Sequence, residues 1–501
     1  MNSLRLSACL AMMLGSFSFT ARGAVIEVYP TGDPTLDGAH IQLAIMDAME
    51  GDTILLKAGT FAMGMEDHSD MVVPLPDGDI VTWYDNGEGW QKLLVDKPLT
   101  ICGEVDADGV PLAILDYNVG GFCFNFFIGA SGVSFHHLEF RNTYFGIFSF
   151  YGGTRVTDCV WREVWHGPFF LMDERTIYPD YPECVAEPNR TCFLRNTFID
   201  SGIGVHLAGS ECLVADNVFD LDGPENRYFG VKISAFVMLE DFGLQDSGLI
   251  RKYGRNNVVR DNSFNGDMWR NHIYVFSFQG GMIMDNVIMD NVIEDMGGNP
   301  GILLEGARGL NLENPLVSGT VVKRNRIHTS GEGLVVSGAQ DTSIINNRIT
   351  SENTAAIWIY GNLSWSWMGD GIYFVPSMGT KVVNNDLWGV EGVHLGYLAM
   401  NSLIGPNHVD ATGDGYHLDG PEDMGWLIVG PASGNQVVAH GVSVVDNYVY
   451  NGQIDNDYDG LVSEDLFDGL NDDGDTIWGG FFLIDEDLPE APNKIVGVKK
   501  K

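Results

Sequence analysis

Two near-copies of one phrase, Gly392-Val393-His394-Leu395 and Gly415-Tyr416-His417-Leu418, each carry a histidine between two apolar residues. In an extended chain side chains alternate between faces, so the apolar pair turns inward and both imidazoles turn outward. Asp419 follows the second phrase, and Ile357-Trp358-Ile359-Tyr360 offers two outward aromatic residues upstream. Three readings of this set stay open. Two close imidazoles depress each other's charging, so one could serve as a neutral base near pH 7. Two His and an Asp could equally ligate a metal ion. Identical side chains also stack merely because they pack well. A second candidate set comprises His206 and Lys232, with Tyr274 near them and Glu305 beyond.

What must position these residues is a repeat. Its phrase is apolar, two variable residues, Asn, variable, apolar, then about seven residues later Gly, apolar, variable, apolar. It runs from Leu194-Arg195-Asn196 to Gly204-Val205-His206-Leu207 and recurs around Asn217, Asn262, Asn286, Asn325, Asn347, Asn385, Asn407 and Asn447, with Cys159 and Leu138 in the same column upstream. Asn196 to Asn217 is 21 residues and Asn325 to Asn347 is 22. That period, with short alternating strands and Gly or Asn turns, predicts stacked coils of a parallel β-solenoid sharing one core. Asn suits the turn because it tolerates the left-handed conformation and its amide can bond to the neighbouring coil. Read coil by coil, the outward column is Phe148, Phe169, His206, Lys232, Tyr274, Leu303, Val335, Trp358, His394 and His417. Insertions interrupt the period at 173–190, 221–256, 292–318, 361–379 and 420–441. The insertion at 361–379 carries Trp365, Trp367 and Tyr373, which could stack on sugar rings.

Composition narrows the partners. Lys and Arg total 28 against 68 Asp and Glu, a formal charge of −40. A nucleic-acid binder needs the opposite balance, and anionic lipid is disfavoured too. Polyanionic glycans would be repelled unless a basic groove or bound cations intervene. Arg5 followed by the apolar stretch Leu6 to Phe19 reads as a secretory signal over 1–23, cleaved after Gly23. No segment is long enough to span a bilayer, so a soluble, exported monomer is expected, secreted, periplasmic or on the cell surface. Six cysteines remain after Cys9. Cys184 and Cys192 could close a surface loop, while Cys102 and Cys123 stand 21 residues apart, one period of the repeat; stacked free thiols in the core remain equally open.

The N-terminal residues Ile26-Glu27-Val28, Ile41-Gln42-Leu43-Ala44-Ile45, Gly51-Asp52-Thr53-Ile54-Leu55-Leu56 and Gly59-Thr60-Phe61 resemble the start of the pectate-lyase-like right-handed parallel β-helix superfamily. The resemblance covers roughly 25–450. It implies an all-β, right-handed parallel β-helix over 24–450 whose N-terminal helix plugs the open end of the stack. On residues alone, Ile41, Ala44, Ile45 and Ala48 form one apolar helical face. Lyases of this fold commonly use a basic residue to take the proton α to a uronate carboxylate, which gives Lys232 beside His206 its interest. The paired aspartates of a polygalacturonase-like hydrolase and the Asp-Pro-His phrase of alginate epimerases are missing. Glu305 and Asp419 sit four coils apart, roughly 19 Å at the strand spacing, too far to act on one glycosidic bond.

Residues 451–501 form an acidic tail in this reading. Asp455-Asn456-Asp457-Tyr458-Asp459-Gly460 matches the opening of a calcium loop, with oxygen ligands at positions 1, 3 and 5 and Gly at 6. Leu466 stands where the bidentate Glu belongs, so Asp465 or Glu464 would have to substitute. The sequence therefore predicts an exported β-helix protein engaging extracellular polysaccharide on its outward face, with lyase or hydrolase chemistry open. Catalytic candidates are His394, His417, Asp419, His206 and Lys232. Binding candidates are Trp358, Tyr360, Trp365, Trp367 and Tyr274, and Ca²⁺ candidates Asp455, Asp457, Asp459 and Asp465. The alternative is a non-catalytic, calcium-stabilised scaffold.

Overall fold

The alternating phrases fold into three long sheets whose successive strands are all parallel, one strand from each coil. A computed structural model describes residues 23–63, 72–74, 80–82, 93–117, 124–143, 145–149, 152–170, 191–221, 229–235, 253–266, 271–277, 282–295, 297–306, 317–365, 372–419, 422–423, 428–429, 432–440, 442–446 and 493–496. The first sheet has 15 strands from Val25–Val28 to Lys494–Val496, the second 12 from Gly59–Ala62 to His408–Ala411, and the third 13 from Leu93–Val95 to Val444–Asp446. This is a parallel β-helix. One hydrophobic core runs its length, built from the inward residues of all three sheets.

The N-terminal helix, Pro34–Asp47, closes the first end as expected. Ile41, Ala44, Ile45 and Ala48 are buried while Leu43 and Met46 face out. Buried Asp37 fixes the helix to the entering chain, accepting from the Thr31 and Gly32 backbone and from Ala62 N on the second sheet. No helix among the described residues is long and apolar enough to cross a membrane.

The turn between the first and second sheets holds the asparagine ladder. Asn196, Asn217, Asn262, Asn291, Asn325, Asn347, Asn385 and Asn407 follow one another, each Oδ1 accepting the backbone N–H of the previous rung's asparagine at 2.8–3.1 Å. Cys159 N joins at the top through Asn196 Oδ1. Two expectations are corrected here. The left-handed residue is the one before each asparagine, as at Arg195, Asp216, Asp261, Asp290, Arg324, Asn346 and Asn384, with φ of 55–58°. The asparagine itself is the bridge. Asn286 does not belong to this ladder but to a second one at the preceding turn, where Cys212 N donates to Asn257 Oδ1 and Asn257 N to Asn286 Oδ1. Thr320, Thr342 and Thr380 are buried in the coils that follow, and then come Ser402, Asn435 and Asn493.

The glycine near the start of many third-sheet strands has a steric cause. The second sheet stacks Phe140, Trp161, Phe198, Phe219 and Phe264 beneath it, with ring centroids 4.1–5.9 Å apart. A Cβ on Gly204 would stand 2.5 Å from the Phe219 ring, and one on Gly230 2.7 Å from Phe264. At these two coils only glycine lets the strand cross so close above the aromatic column.

Strand Lys494–Val496, inside the expected tail, pairs with Gln436–Val438 as the last rung of the first sheet. Cys102 and Cys159 form no disulfide, and burial pushes the Cys159 thiol up to about 12, as a core thiol. The expected signal, Cys123, Cys184, Asn447, and the calcium candidates Asp455, Asp457, Asp459 and Asp465 lie outside the described residues.

Candidate functional site

Third-sheet register places the outward column as the alternation demands. Phe148, Phe169, His206, Lys232, Tyr274, Leu303, Val335, Trp358, His394 and His417 are paired rung by rung in that order. Facing outward is not the same as being exposed. Phe148, His206 (5%), Tyr274 (5%) and Val335 (2%) are buried, so the wall is covered over much of this stretch. It is more open at the later coils, where Trp358, His394 and His417 are half-buried.

At those coils the two imidazoles stack with centroids 4.9 Å apart and planes 22° from parallel. His394 donates from Nδ1 to Glu391 Oε2 at 2.6 Å and from Nε2 to Asp419 Oδ2 at 2.9 Å. His417 places Nδ1 3.2 Å from Asp414 Oδ2 and Nε2 3.3 Å from Asp419 Oδ1. Asp419 is thus shared, one oxygen to each ring. Gly396 stands between Tyr360 and Asp419 in the next outward column, where a side chain would be crowded. A Cβ there would lie 3.0 Å from Tyr360 Cβ, 3.1 Å from Trp358 Nε1 and 3.5 Å from Asp419 Oδ2. Trp358 Nε1 is a buried donor with no hydrogen-bond partner among the described residues. Trp358 packs on both Tyr360 and His394, and Tyr360 on Tyr397.

Electrostatics set His394 apart from a neutral base. Burial opposes charging of His394, but the hydrogen bonds to Asp419 and Glu391 outweigh it and raise its pKa to about 9. Glu391 in turn is held below the usual carboxylate range, first by its bond to His394, against burial. The neighbouring imidazole does not make His394 a neutral base, because a carboxylate stands at each of its nitrogens.

Glu391 and Asp414 were not anticipated. Each stands three residues ahead of its histidine, in Glu391-Gly392-Val393-His394 and Asp414-Gly415-Tyr416-His417. An acidic residue, Gly, any residue and His, repeated one coil later, is the signal that could have revealed them.

The earlier set is joined differently. His206 Nε2 lies 2.6 Å from Ser234 Oγ, and Lys232 Nζ sits 5.4 Å above the Phe229 ring. Tyr274 OH donates to Glu305 Oε2 at 2.5 Å, and Asn362 Nδ2 to Glu305 Oε1 at 3.3 Å. The two sets stay apart along the sheet, with Leu303 and Val335 between Tyr274 and Trp358. The insertion after Tyr360 begins as an antiparallel hairpin, Asn362–Trp365 with Ile372–Val375, and the one after Asp419 pairs Glu422–Asp423 with Ile428–Val429. Trp367 and the side chains of Trp365 and Tyr373 lie outside the described residues.

The coil stack with its capping helix is a parallel β-helix. No protein-family model matches the chain, and no curated protein matches it. Among solved structures it is similar to a family 6 polysaccharide lyase from Pseudopedobacter saltans, at 10% identity and a TM-score of 0.44 over 94% of this chain and 92% of that one. A family 6 alginate lyase in complex with a trisaccharide aligns at 13% identity and a TM-score of 0.39 over 80% and 90%. A DFA-IIIase from Arthrobacter chlorophenolicus aligns at 12% identity and a TM-score of 0.39 over 84% and 96%.

Proposed function

We propose that this is an exported carbohydrate-active β-helix protein that engages an extracellular polysaccharide over Trp358, Tyr360, His394, His417 and Asp419. The observation that carries the reading is the half-buried set of aromatic faces and polar atoms of Trp358, Tyr360, His394, His417 and Asp419, packed side by side on adjacent coils. Sugars are recognised by that combination: ring faces pack on aromatics while hydroxyls bond to carboxylates and indole N–H groups. Glu391, Asp414 and Asp419 crowd the site with negative charge, which favours a neutral glycan over a polyuronate. Chemistry on the bound chain would fall to His394, His417 and Asp419, whose polar atoms converge. The buried wall around His206, Tyr274 and Val335 favours a second reading, a scaffold, for that part of the sheet.

A panel of neutral and anionic glycans, assayed for binding and for reducing-end or unsaturated-product release, tests this. Trp358→Ala should weaken binding by roughly 1–2 kcal/mol through lost stacking area, and His417→Ala should abolish turnover of a cleaved glycan. If His206 and Lys232 substitutions produce those effects instead, the earlier cluster is the site. If neither set changes binding or turnover, the scaffold reading stands.

A further inference from the structure

The histidine pair has the build of a metal centre. Each ring is oriented from its Nδ1 side by a carboxylate, Glu391 Oε2 at 2.6 Å for His394 and Asp414 Oδ2 at 3.2 Å for His417. Glu391 Oε1 adds a contact to His417 Nδ1 at 3.5 Å. Carboxylates in that position are what fix metal-ligating imidazoles and strengthen them as donors. Both Nε2 atoms then converge on Asp419, at 2.9 and 3.3 Å from its separate oxygens. The ligand atoms of His394, His417 and Asp419 all lie within 4.8 Å of one another, and all three residues are half-buried. Adjacent rungs of a rigid sheet hold them, so little ordering would be needed on binding.

We propose that His394 Nε2, His417 Nε2 and the Asp419 carboxylate bind a divalent transition-metal ion of the Zn²⁺ type. The ion takes the place of the Nε2 protons and relieves the crowding of three carboxylates. Two imidazole nitrogens and one carboxylate suit Zn²⁺ or Co²⁺ and disfavour Ca²⁺ and Mg²⁺, which require oxygen ligands. Three protein ligands leave a coordination position for water or a ligand oxygen. The three ligand residues are only half-buried, so that group can reach the ion from the outer face of the sheet. The inference shares a face with the proposed glycan site but is tested without glycan, so either can fail alone.

The test is a Co²⁺ titration of the chelator-stripped, full-length protein, followed by visible absorption, with Zn²⁺ as competitor and thermal melting in parallel. The expected result is one equivalent of Co²⁺ giving the intense band of a tetrahedral site, bleached by Zn²⁺, and a higher Tm with either ion. Asp419→Ala and His417→Gln should each remove the band and the Tm rise, and Glu391→Gln should weaken affinity by roughly 10–100-fold. An Asp457→Ala, Asp459→Ala double variant should leave the band unchanged, which separates this site from the acidic segment. If Asp419→Ala does not fold, His417→Gln with native circular dichroism decides. Absence of the band in the wild-type protein, or its survival in well-folded His417→Gln, would overturn the proposal.

Discussion

His394 and His417, one rung apart, divide a single carboxylate between them: Asp419 gives Oδ2 to the first ring and Oδ1 to the second. Beside them Gly396 is buried, and a Cβ there would stand 3.0 Å from Tyr360 Cβ and 3.1 Å from Trp358 Nε1. Gly396→Val should therefore push Trp358 and Tyr360 out of place beside the imidazole pair. The expected outcome is a binding loss of at least tenfold for the glycan that binds wild type, with stability lowered by about 1–3 kcal/mol through overpacking. Unaltered affinity in isothermal titration would place the binding face elsewhere.

The asparagine ladder makes a stability prediction. Asn347→Leu removes the acceptor of Asn325 N and the donor to Val322 O. Buried polar groups left unsatisfied cost about 1–3 kcal/mol each. Val218→Thr, at a position 45% exposed, is the control and should cost under about 0.5 kcal/mol. Equal urea midpoints for the two variants would dismiss the ladder as a source of stability.

Gly230 and Phe264 should be energetically coupled. Gly230→Ala drives a methyl group into the Phe264 ring and toward His272 O, an overpacking worth about 1–3 kcal/mol. Phe264→Leu should cost less in the Gly230→Ala background than in wild type. A double-mutant cycle by chemical denaturation reads the difference, and strict additivity would count against the steric account.

His272 predicts acid sensitivity. It occupies the glycine column, fully buried, and burial depresses its pKa to about 3, with the Gly266 backbone only partly compensating. The unfolded chain takes up its proton below about pH 6.5 while the folded protein does not until about pH 3. Stability should thus fall as pH drops through that window, with this group contributing up to about 1.4 kcal/mol per pH unit. His272→Gln should flatten the slope between pH 6 and 4. Parallel pH–stability curves for the two proteins would show that His272 is not the source.

The acidic segment carries its own expectation. Calorimetry on the whole protein should detect Ca²⁺ binding on the order of 10⁻⁴–10⁻³ M. The heat should vanish in an Asp457→Ala, Asp459→Ala double variant. Heat that persists there, or is missing from wild type, rejects the loop.

The sheets were legible because alternation and the column glycine fix which residue of each phrase turns outward; hence every rung from Phe148 to His417 falls in its expected order. Asn286 was misplaced because Asp285-Asn286-Val287-Ile288 and Asp290-Asn291-Val292-Ile293 are the same phrase at two successive turns. Local pattern cannot say which turn is which; only the register with Asn262 and Asn325 does. Nor could alternation report that His206 and Val335 are covered, since burial from outside the sheet depends on packing distant in sequence. Glu391 and Asp414 escaped notice because they stand ahead of the glycine, where the outward-column pattern does not reach.

The last rung has a consequence for how freely the chain can be elaborated. Asn435 and Asn493 are neighbours in the second ladder although 58 residues separate them, where an uninterrupted coil such as Asn325 to Asn347 needs 22. Loop-closure entropy rises only with the logarithm of length, so the longer excursion costs under about 1 kcal/mol more than an ordinary coil. One asparagine rung is worth about as much. The helix can therefore host an inserted module between any two rungs and still close beyond it. The acidic segment lies in sequence between Gln436–Val438 and Lys494–Val496, which pair as adjacent rungs.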